Sequence, residues 1–250
     1  MDLAAVGGWR YQLLPVPPER FAETVPALAP AGFVGANVTI PHKHAALELA
    51  DTVSEAARAI GAANTLTFAP EGTIAAENTD APGFLAALGS PPRGMSALVL
   101  GAGGSARAVV WALREAGAST VSVWNRTPER AKALARDLGV RAVRRPVVAD
   151  LLVNCTSVGL ESETADLKQS ATESQGLNLL ELTFDQVGNY SHVVDLVYRS
   201  GPTPLLVAAR AHGARALDGL EVLLAQGALS FELWTGVEPP LEVMRRALRD

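Results

Sequence analysis

The feature that most constrains this chain is a glycine turn, Gly101-Ala102-Gly103-Gly104-Ser105-Ala106, set between an apolar run and a helical one. Ala97-Leu98-Val99-Leu100 precedes it, and Arg107-Ala108-Val109-Val110-Trp111-Ala112-Leu113 follows with helical spacing. Strand, turn and helix in that order form the setting in which such glycines bind a dinucleotide. The glycines let backbone approach a pyrophosphate, and the unpaired N–H groups and positive dipole of the helix stabilise its charge. A second short segment, Thr120-Val121-Ser122-Val123-Trp124, ends in Asn125-Arg126-Thr127. An NAD-binding unit carries Asp or Glu about 20 residues past its glycines to hold the ribose 2′-hydroxyl. Here no carboxylate stands at that place and Arg126 does. An acid would repel a 2′-phosphate, whereas a guanidinium offers it a planar fork of donors. These residues point to NADP rather than NAD, held by one βαβ unit.

The remaining composition narrows the class. The chain has 250 residues, enough for one large domain or two modest ones, and 48% of them are hydrophobic, which suits well-covered cores. Net charge is −5 with no block of five or six like charges, so nucleic acid, whose phosphates demand a basic face, is not the expected partner. Neither is a membrane, because no stretch approaches the length of a spanning helix. The N-terminus lacks the basic and apolar regions of a signal peptide. The single cysteine, Cys155, lies in Leu151-Leu152-Val153-Asn154-Cys155 and reads as a small buried residue in a reducing compartment. A cytoplasmic protein is expected. Four scattered histidines and one cysteine give no metal-ligand spacing, so no metal is expected.

Alternating strands and helices argue for an α/β fold with mostly parallel sheets. Strands are expected at 11–16, 33–40, 65–68 and 72–77, the last two as a hairpin, and helices from Pro18, over 43–49 and over 54–60. Ser90-Pro91-Pro92-Arg93-Gly94 is the linker candidate. Beyond it, a helix is expected over 129–138, buried strands over 150–154 and 193–197, and helices over 203–212, 220–233 and onward to Asp250. The polar segment 161–189 reads as a variable surface excursion.

Ligands of open α/β sheets gather at the carboxyl ends of strands. Three polar clusters precede the linker: Asn37-Val38-Thr39-Ile40-Pro41-His42-Lys43, Gly61-Ala62-Ala63-Asn64-Thr65 and Asn78-Thr79-Asp80-Ala81-Pro82-Gly83-Phe84. Lys43 offers an ammonium, and Asp80 a carboxylate to hold and orient its proton, a pairing suited to proton transfer at an alcohol or ketone while NADP exchanges a hydride. Spacing alone does not bring the two together, and a lysine in the first turn of a helix is ordinarily solvated.

Together with Gly101–Ala106, Asn125-Arg126-Thr127, Asn154-Cys155-Thr156-Ser157-Val158-Gly159, Asp195-Leu196-Val197-Tyr198, Asp218-Gly219 and Gln226-Gly227-Ala228, these clusters resemble the shikimate dehydrogenase family over nearly the whole chain. The resemblance implies reversible, NADPH-dependent reduction of 3-dehydroshikimate to shikimate in aromatic amino-acid biosynthesis. It implies two α/β domains around a cleft: a substrate domain over 1–89 plus 219–250, and a Rossmann-type NADP-binding domain over 90–218. Lys43 would be the catalytic acid/base and Asp80 its partner. Thr39, Asn64, Tyr198 and Gln226 would bind substrate. Gly101, Ala102, Gly103, Gly104, Ser105 and Ala106 would line the phosphates, Asn125, Arg126 and Thr127 the 2′-phosphate, and Thr156 and Gly219 the nicotinamide half.

The resemblance also implies an initial strand and a His-Ser-x-Ser-Pro motif whose serines bind the substrate carboxylate. Neither stands in this sequence, where Met1–Tyr11 resembles the tail of the first helix. An upstream start, a truncated relative or a substitute segment would each account for this. A chain of this extent is expected to bind NADP and to handle shikimate poorly. A quinate/shikimate-type polyol dehydrogenase and a truncated non-catalytic NADP-binding relative are the competing readings, and either a monomer or a homodimer is compatible with the sequence.

Overall fold

The structure is a computed structural model that describes residues 8–160, 173–199 and 201–248. The chain divides into two compact units, Met1–Gly83 with Leu224–Asp250, and Phe84–Leu223.

In the first unit, a single 3-10 turn leads into α1 (Phe21–Leu28), which turns Phe21, Val25 and Leu28 inward at the i, i+4, i+7 spacing of one helical face. They pack into one core with Val38, Ala46, Leu66, Phe68 and Ile74. β1 (Gly35–Asn37) is followed by α2 (Lys43–Leu49), β2 (Thr52–Val53) and α3 (Glu55–Ile60), whose first turn is capped by Ser54 accepting from the Ala57 N–H at 3.2 Å. β3 (Thr65–Phe68) and β4 (Ile74–Glu77) form the expected hairpin, and α4 (Asp80–Leu88) follows. The sheet order is β1-β3-β4-β2, with β1/β3 and β3/β4 antiparallel and β2/β4 parallel. The expectation of mostly parallel sheets thus fails in this unit, because the two-strand hairpin fixes antiparallel neighbours.

Tyr11–Val16, expected as a strand, joins no ladder among the described residues. Leu13 is 88% exposed, and the segment is tied by the Tyr11 hydroxyl donating to Asn37 Oδ1 at 3.2 Å. Of 33–40 the three residues of β1 are strand, and the Phe68 N–H donating to Val34 O at 2.9 Å and the Val38 N–H donating to Asn64 O at 2.7 Å extend the pairing by one residue at each end.

The second unit runs β5 (Ser96–Leu100), α5 (Gly104–Glu115), β6 (Thr120–Trp124), α6 (Pro128–Asp137), β7 (Arg141–Ala142), β8 (Leu151–Asn154), α7 (Glu173–Leu179), α8 (Phe184–Val187), β9 (His192–Asp195), α9 (Pro204–Ala211) and β10 (Arg215–Leu217). Its six strands are all parallel in the order β10-β9-β8-β5-β6-β7. Counted within the unit this is 6-5-4-1-2-3, the doubly wound order of a Rossmann sheet. β5 and β8 lie at its centre, and every residue of β8 is buried, as a strand covered on both faces requires.

The segment 161–189 is not the excursion expected of it over its second half. Leu177, Leu180, Leu182 and Val187 are buried in the same core as Leu98, Leu152 and Val193, so the polar residues alternate with apolar anchors. Residues 161–172 lie outside the described residues. Cys155 is half-buried rather than buried. The last helices are α10 (Gly219–Thr235) and α11 (Leu241–Ala247). Among the described residues no helix is long and apolar enough to cross a membrane.

Candidate active site

α2 begins at Lys43 immediately after the Ile40–Pro41 cis peptide and the turn closed by His42 N–H donating to Thr39 O at 2.9 Å. The His42 ring stacks on Phe21, with ring centroids 4.5 Å apart, and bonds the Val16 carbonyl at 2.8 Å. Lys43 is therefore fixed at a point where α1, α2 and the preceding loop meet. Asp80 begins α4, held there by Asn78, whose Oδ1 accepts from the Ala81 N–H at 3.1 Å while its Nδ2 donates to Ala62 O at 2.9 Å.

These two helix starts bring the ammonium and the carboxylate together. Lys43 Nζ donates to Asp80 Oδ2 at 2.5 Å, with side chains only 10% and 16% exposed. The solvated lysine ordinarily found in a first turn is thus not what the structure shows. A buried pair is tolerated only when its remaining lone pairs are satisfied. Asp80 Oδ1 accordingly accepts from Asn64 Nδ2 at 2.9 Å. The same amide donates to Thr79 Oγ1 at 2.9 Å and Gln226 Oε1 at 3.2 Å, while Asn64 Oδ1 accepts from the Thr79 N–H at 2.7 Å.

α10 delivers Gln226 to this set at very close range. A Cβ on Gly83 would stand 2.7 Å from Gln226 N and 2.8 Å from its Cα, so only glycine lets α4 and α10 touch there. Four of the expected residues, Lys43, Asp80, Asn64 and Gln226, thus form one hydrogen-bonded group. Thr39 stands exposed in the loop ahead of Lys43, outside that group. Asn37, Thr65 and Thr79, which stand in the three polar clusters but were given no role of their own, and Ser230, which was not singled out, form the hydroxyl-rich floor beneath it. The signal for Ser230 was its i+4 spacing from Gln226.

In the second unit, Gly101 has φ +112 and a Cβ there would meet Cys155 O at 3.0 Å, so the turn after β5 admits no side chain at that point. Space is open around Gly103, the N-cap of α5. Ala102, Gly104 and Ser105 flank it, and Ala106 is buried against the sheet. At the end of β6, Asn125 Nδ2 donates to Thr127 O at 2.9 Å, and Arg126 projects into solvent without an ion pair among the described residues. A free guanidinium beside a glycine-lined helix start fits a dinucleotide that carries an extra phosphate. Thr156 is engaged locally, its hydroxyl donating to Asn154 Oδ1 at 2.7 Å. Gly219 opens α10 against the backbone after β9, where a Cβ would meet Leu196 O at 2.5 Å; Tyr198, in that same stretch, is exposed. Among the described residues no group of His, Cys, Asp or Glu could hold a metal ion.

Beneath these loops lies Asp195, fully buried. Its Oδ1 accepts from Asn154 Nδ2 at 2.9 Å and the Val197 N–H at 3.1 Å, and its Oδ2 from the Thr203 hydroxyl at 2.6 Å. Burial raises its pKa, and these three bonds oppose the shift.

Comparison with known proteins agrees with both halves. Residues 5–66 match the shikimate dehydrogenase substrate binding domain, residues 89–160 the shikimate / quinate 5-dehydrogenase family, and residues 219–249 the shikimate 5′-dehydrogenase C-terminal domain. A shikimate dehydrogenase (NADP(+)) of Acidiphilium cryptum is 46% identical over 93% of this chain and 82% of its own length. The crystal structure of shikimate 5-dehydrogenase from Thermus thermophilus, in complex with NADP(H) and shikimate, is 43% identical with a TM-score of 0.79, covering 94% of this chain and 85% of that one. A ligand-free 5-ketofructose reductase of Gluconobacter is 31% identical with a TM-score of 0.73, covering 93% and 84%. With glycine turn, lysine–aspartate pair and sheet order all in place, the chain belongs to the shikimate dehydrogenase family.

Proposed function

We propose that this chain interconverts shikimate and 3-dehydroshikimate with NADP, the reduction serving aromatic amino-acid biosynthesis. The observation that carries the reading is the buried Lys43–Asp80 pair tied to Asn64 and Gln226. Bound NADP would supply the hydride acceptor or donor. Lys43 takes the proton from the reacting hydroxyl when the alcohol is oxidised and returns it when the ketone is reduced. Asp80 holds the lysine head group in one place, so the proton moves along a fixed line. Asn64 and Gln226 present amides, which bond ring hydroxyls directionally without adding net charge. Thr39 and Tyr198, both exposed, are the remaining proposed substrate contacts. Gly101 to Ala106 would line the pyrophosphate, Asn125, Arg126 and Thr127 the 2′-phosphate, and Thr156 and Gly219 the nicotinamide half.

A related polyol dehydrogenase is the second reading, favoured by the likeness to the 5-ketofructose reductase. Formation of reduced nicotinamide with shikimate, quinate and NAD⁺ or NADP⁺ in parallel separates the two. Turnover with shikimate and NADP⁺ is expected, and turnover confined to another polyol would replace the reading. Arg126→Ala is expected to raise the KM for NADP⁺ by about tenfold to a hundredfold, the worth of one charge-assisted contact, and to leave NAD⁺ kinetics unchanged. Equal effects on both cofactors would remove Arg126 from the 2′-phosphate site. The lone cysteine supports a reducing, cytoplasmic location.

A further inference from the structure

α10 presents Gln226, Ser230 and Trp234 at i, i+4 and i+8, a single face of the helix. Each meets the first sheet. Gln226 receives the Asn64 amide, and Trp234 Nε1 donates to Leu66 O at 3.1 Å. Between them Ser230 is 1% exposed and has four partners within hydrogen-bonding distance. Asn37 Nδ2 donates to its Oγ at 2.8 Å, Thr65 Oγ1 and Thr79 Oγ1 lie at 3.1 and 3.2 Å, and the Gln226 carbonyl accepts from it at 3.1 Å. A helical serine bonding back to the carbonyl four residues earlier is common and local. Three further partners, from β1, from β3 and from the residue ahead of α4, are not.

The two threonines carry this contact onward to the site. Thr65 Oγ1 donates to Asn64 Oδ1 at 3.3 Å, and Thr79 Oγ1 accepts from Asn64 Nδ2 at 2.9 Å. Thr65 and Thr79 also lie 3.0 Å from each other. Both ends of the Asn64 amide therefore lean on hydroxyls whose own protons are arranged around Ser230. The Thr79 N–H at its oxygen and Asp80 Oδ1 at its nitrogen set which way this amide faces, and the hydroxyls beneath it set where it sits. In a closed network of hydroxyls the direction of each bond constrains the next.

We propose that Ser230 is a positioning residue that fixes the place of the Asn64 amide, and through it the capture of shikimate. It touches neither substrate nor cofactor, and the inference rests on the functional reading above. Removing the hydroxyl leaves Asn37, Thr65 and Thr79 to rearrange, and the Asn64 amide shifts with them. A buried donor left without its partner costs enough to weaken binding by about tenfold.

The test is a double-mutant cycle of Ser230→Ala and Asn64→Ala, reading KM for shikimate, KM for NADP⁺, kcat and thermal midpoint. Ser230→Ala alone is expected to raise the KM for shikimate about tenfold, with the KM for NADP⁺ unchanged. In the Asn64→Ala background the same substitution is expected to change the KM for shikimate by less than about twofold, because the group it positions is gone. Effects that multiply in the double variant would overturn the inference. So would a lowered midpoint with an unaltered KM, the mark of a role in folding alone. An Asn64→Ala chain with unchanged shikimate KM would overturn the site reading and the inference with it.

Discussion

The two sheets of this molecule solve the placement of polar atoms in opposite ways. In the second unit the strands are parallel and their central residues apolar, with Leu98, Val99, Leu152 and Val153 fully buried. Polar groups are pushed to the strand ends, where Asn154 and Asp195 meet at the close of β8 and β9. In the first unit the strands are short and mixed in direction. The buried set in and just beyond them includes Asn64, Thr65, Asn78 and Thr79, side chains a folding core would ordinarily exclude. One sheet is a scaffold with chemistry at its rim. In the other, the chemistry forms part of the core.

The contrast can be broken first at the reacting pair. Lys43→Ala is expected to lower kcat for shikimate oxidation by about a hundredfold to ten-thousandfold, the range for loss of a positioned acid/base, while NADP⁺ binding followed by calorimetry stays within about twofold. A small loss of rate would show that the lysine serves folding of the first unit rather than chemistry.

A matched glycine pair sharpens the comparison next. Gly83→Ala forces α4 and α10 apart at Gln226, and Gly101→Ala forces the first glycine turn off Cys155 at a left-handed φ. Each clash costs on the order of 1–3 kcal/mol, or about ten- to a hundredfold in the ligand its own unit holds. Steady-state kinetics should show the first change in the KM for shikimate and the second in the KM for NADP⁺. Crossed effects would mean that the units do not divide the ligands between them.

The smallest expected effect concerns Asp195. Its carboxyl is raised in the folded chain by burial, so as pH climbs above the ordinary value of 3.8 the unfolded chain releases this proton first. Stability contributed by the neutral form is full below that value and is lost as pH rises through the higher folded pKa. Asp195→Asn, which cannot ionise, should flatten that fall, read by urea unfolding at several pH values. An unchanged slope would mean that Asp195 ionises alike in both states.

Legibility followed the same division. β5, β6, β8 and β9 announce themselves as apolar runs, and α2 begins and ends where the sequence suggests. β7, β10 and β2, at two or three residues each, carry no pattern of their own and exist only because a neighbouring strand offers a ladder. The polar letters of Glu173–Val187 hid Leu177, Leu180, Leu182 and Val187, whose irregular spacing serves two short helices rather than one period. At the site, Lys43, Asp80, Asn64 and Gln226 stand in recognisable motifs. Ser230 stands in none, and its i+4 spacing from Gln226 is the one local trace of a hydroxyl that works through two others.

The amide of Asn64 carries a consequence in simple proton arithmetic. Its nitrogen has two hydrogens, yet Thr79 Oγ1, Asp80 Oδ1 and Gln226 Oε1 all lie within reach. Two hydrogens are thus shared among three acceptors, of which Thr79 Oγ1 has other donors at hand in the hydroxyls of Thr65 and Ser230. A ligand oxygen that enters as an acceptor must compete for hydrogens already shared, whereas one that enters as a donor need not.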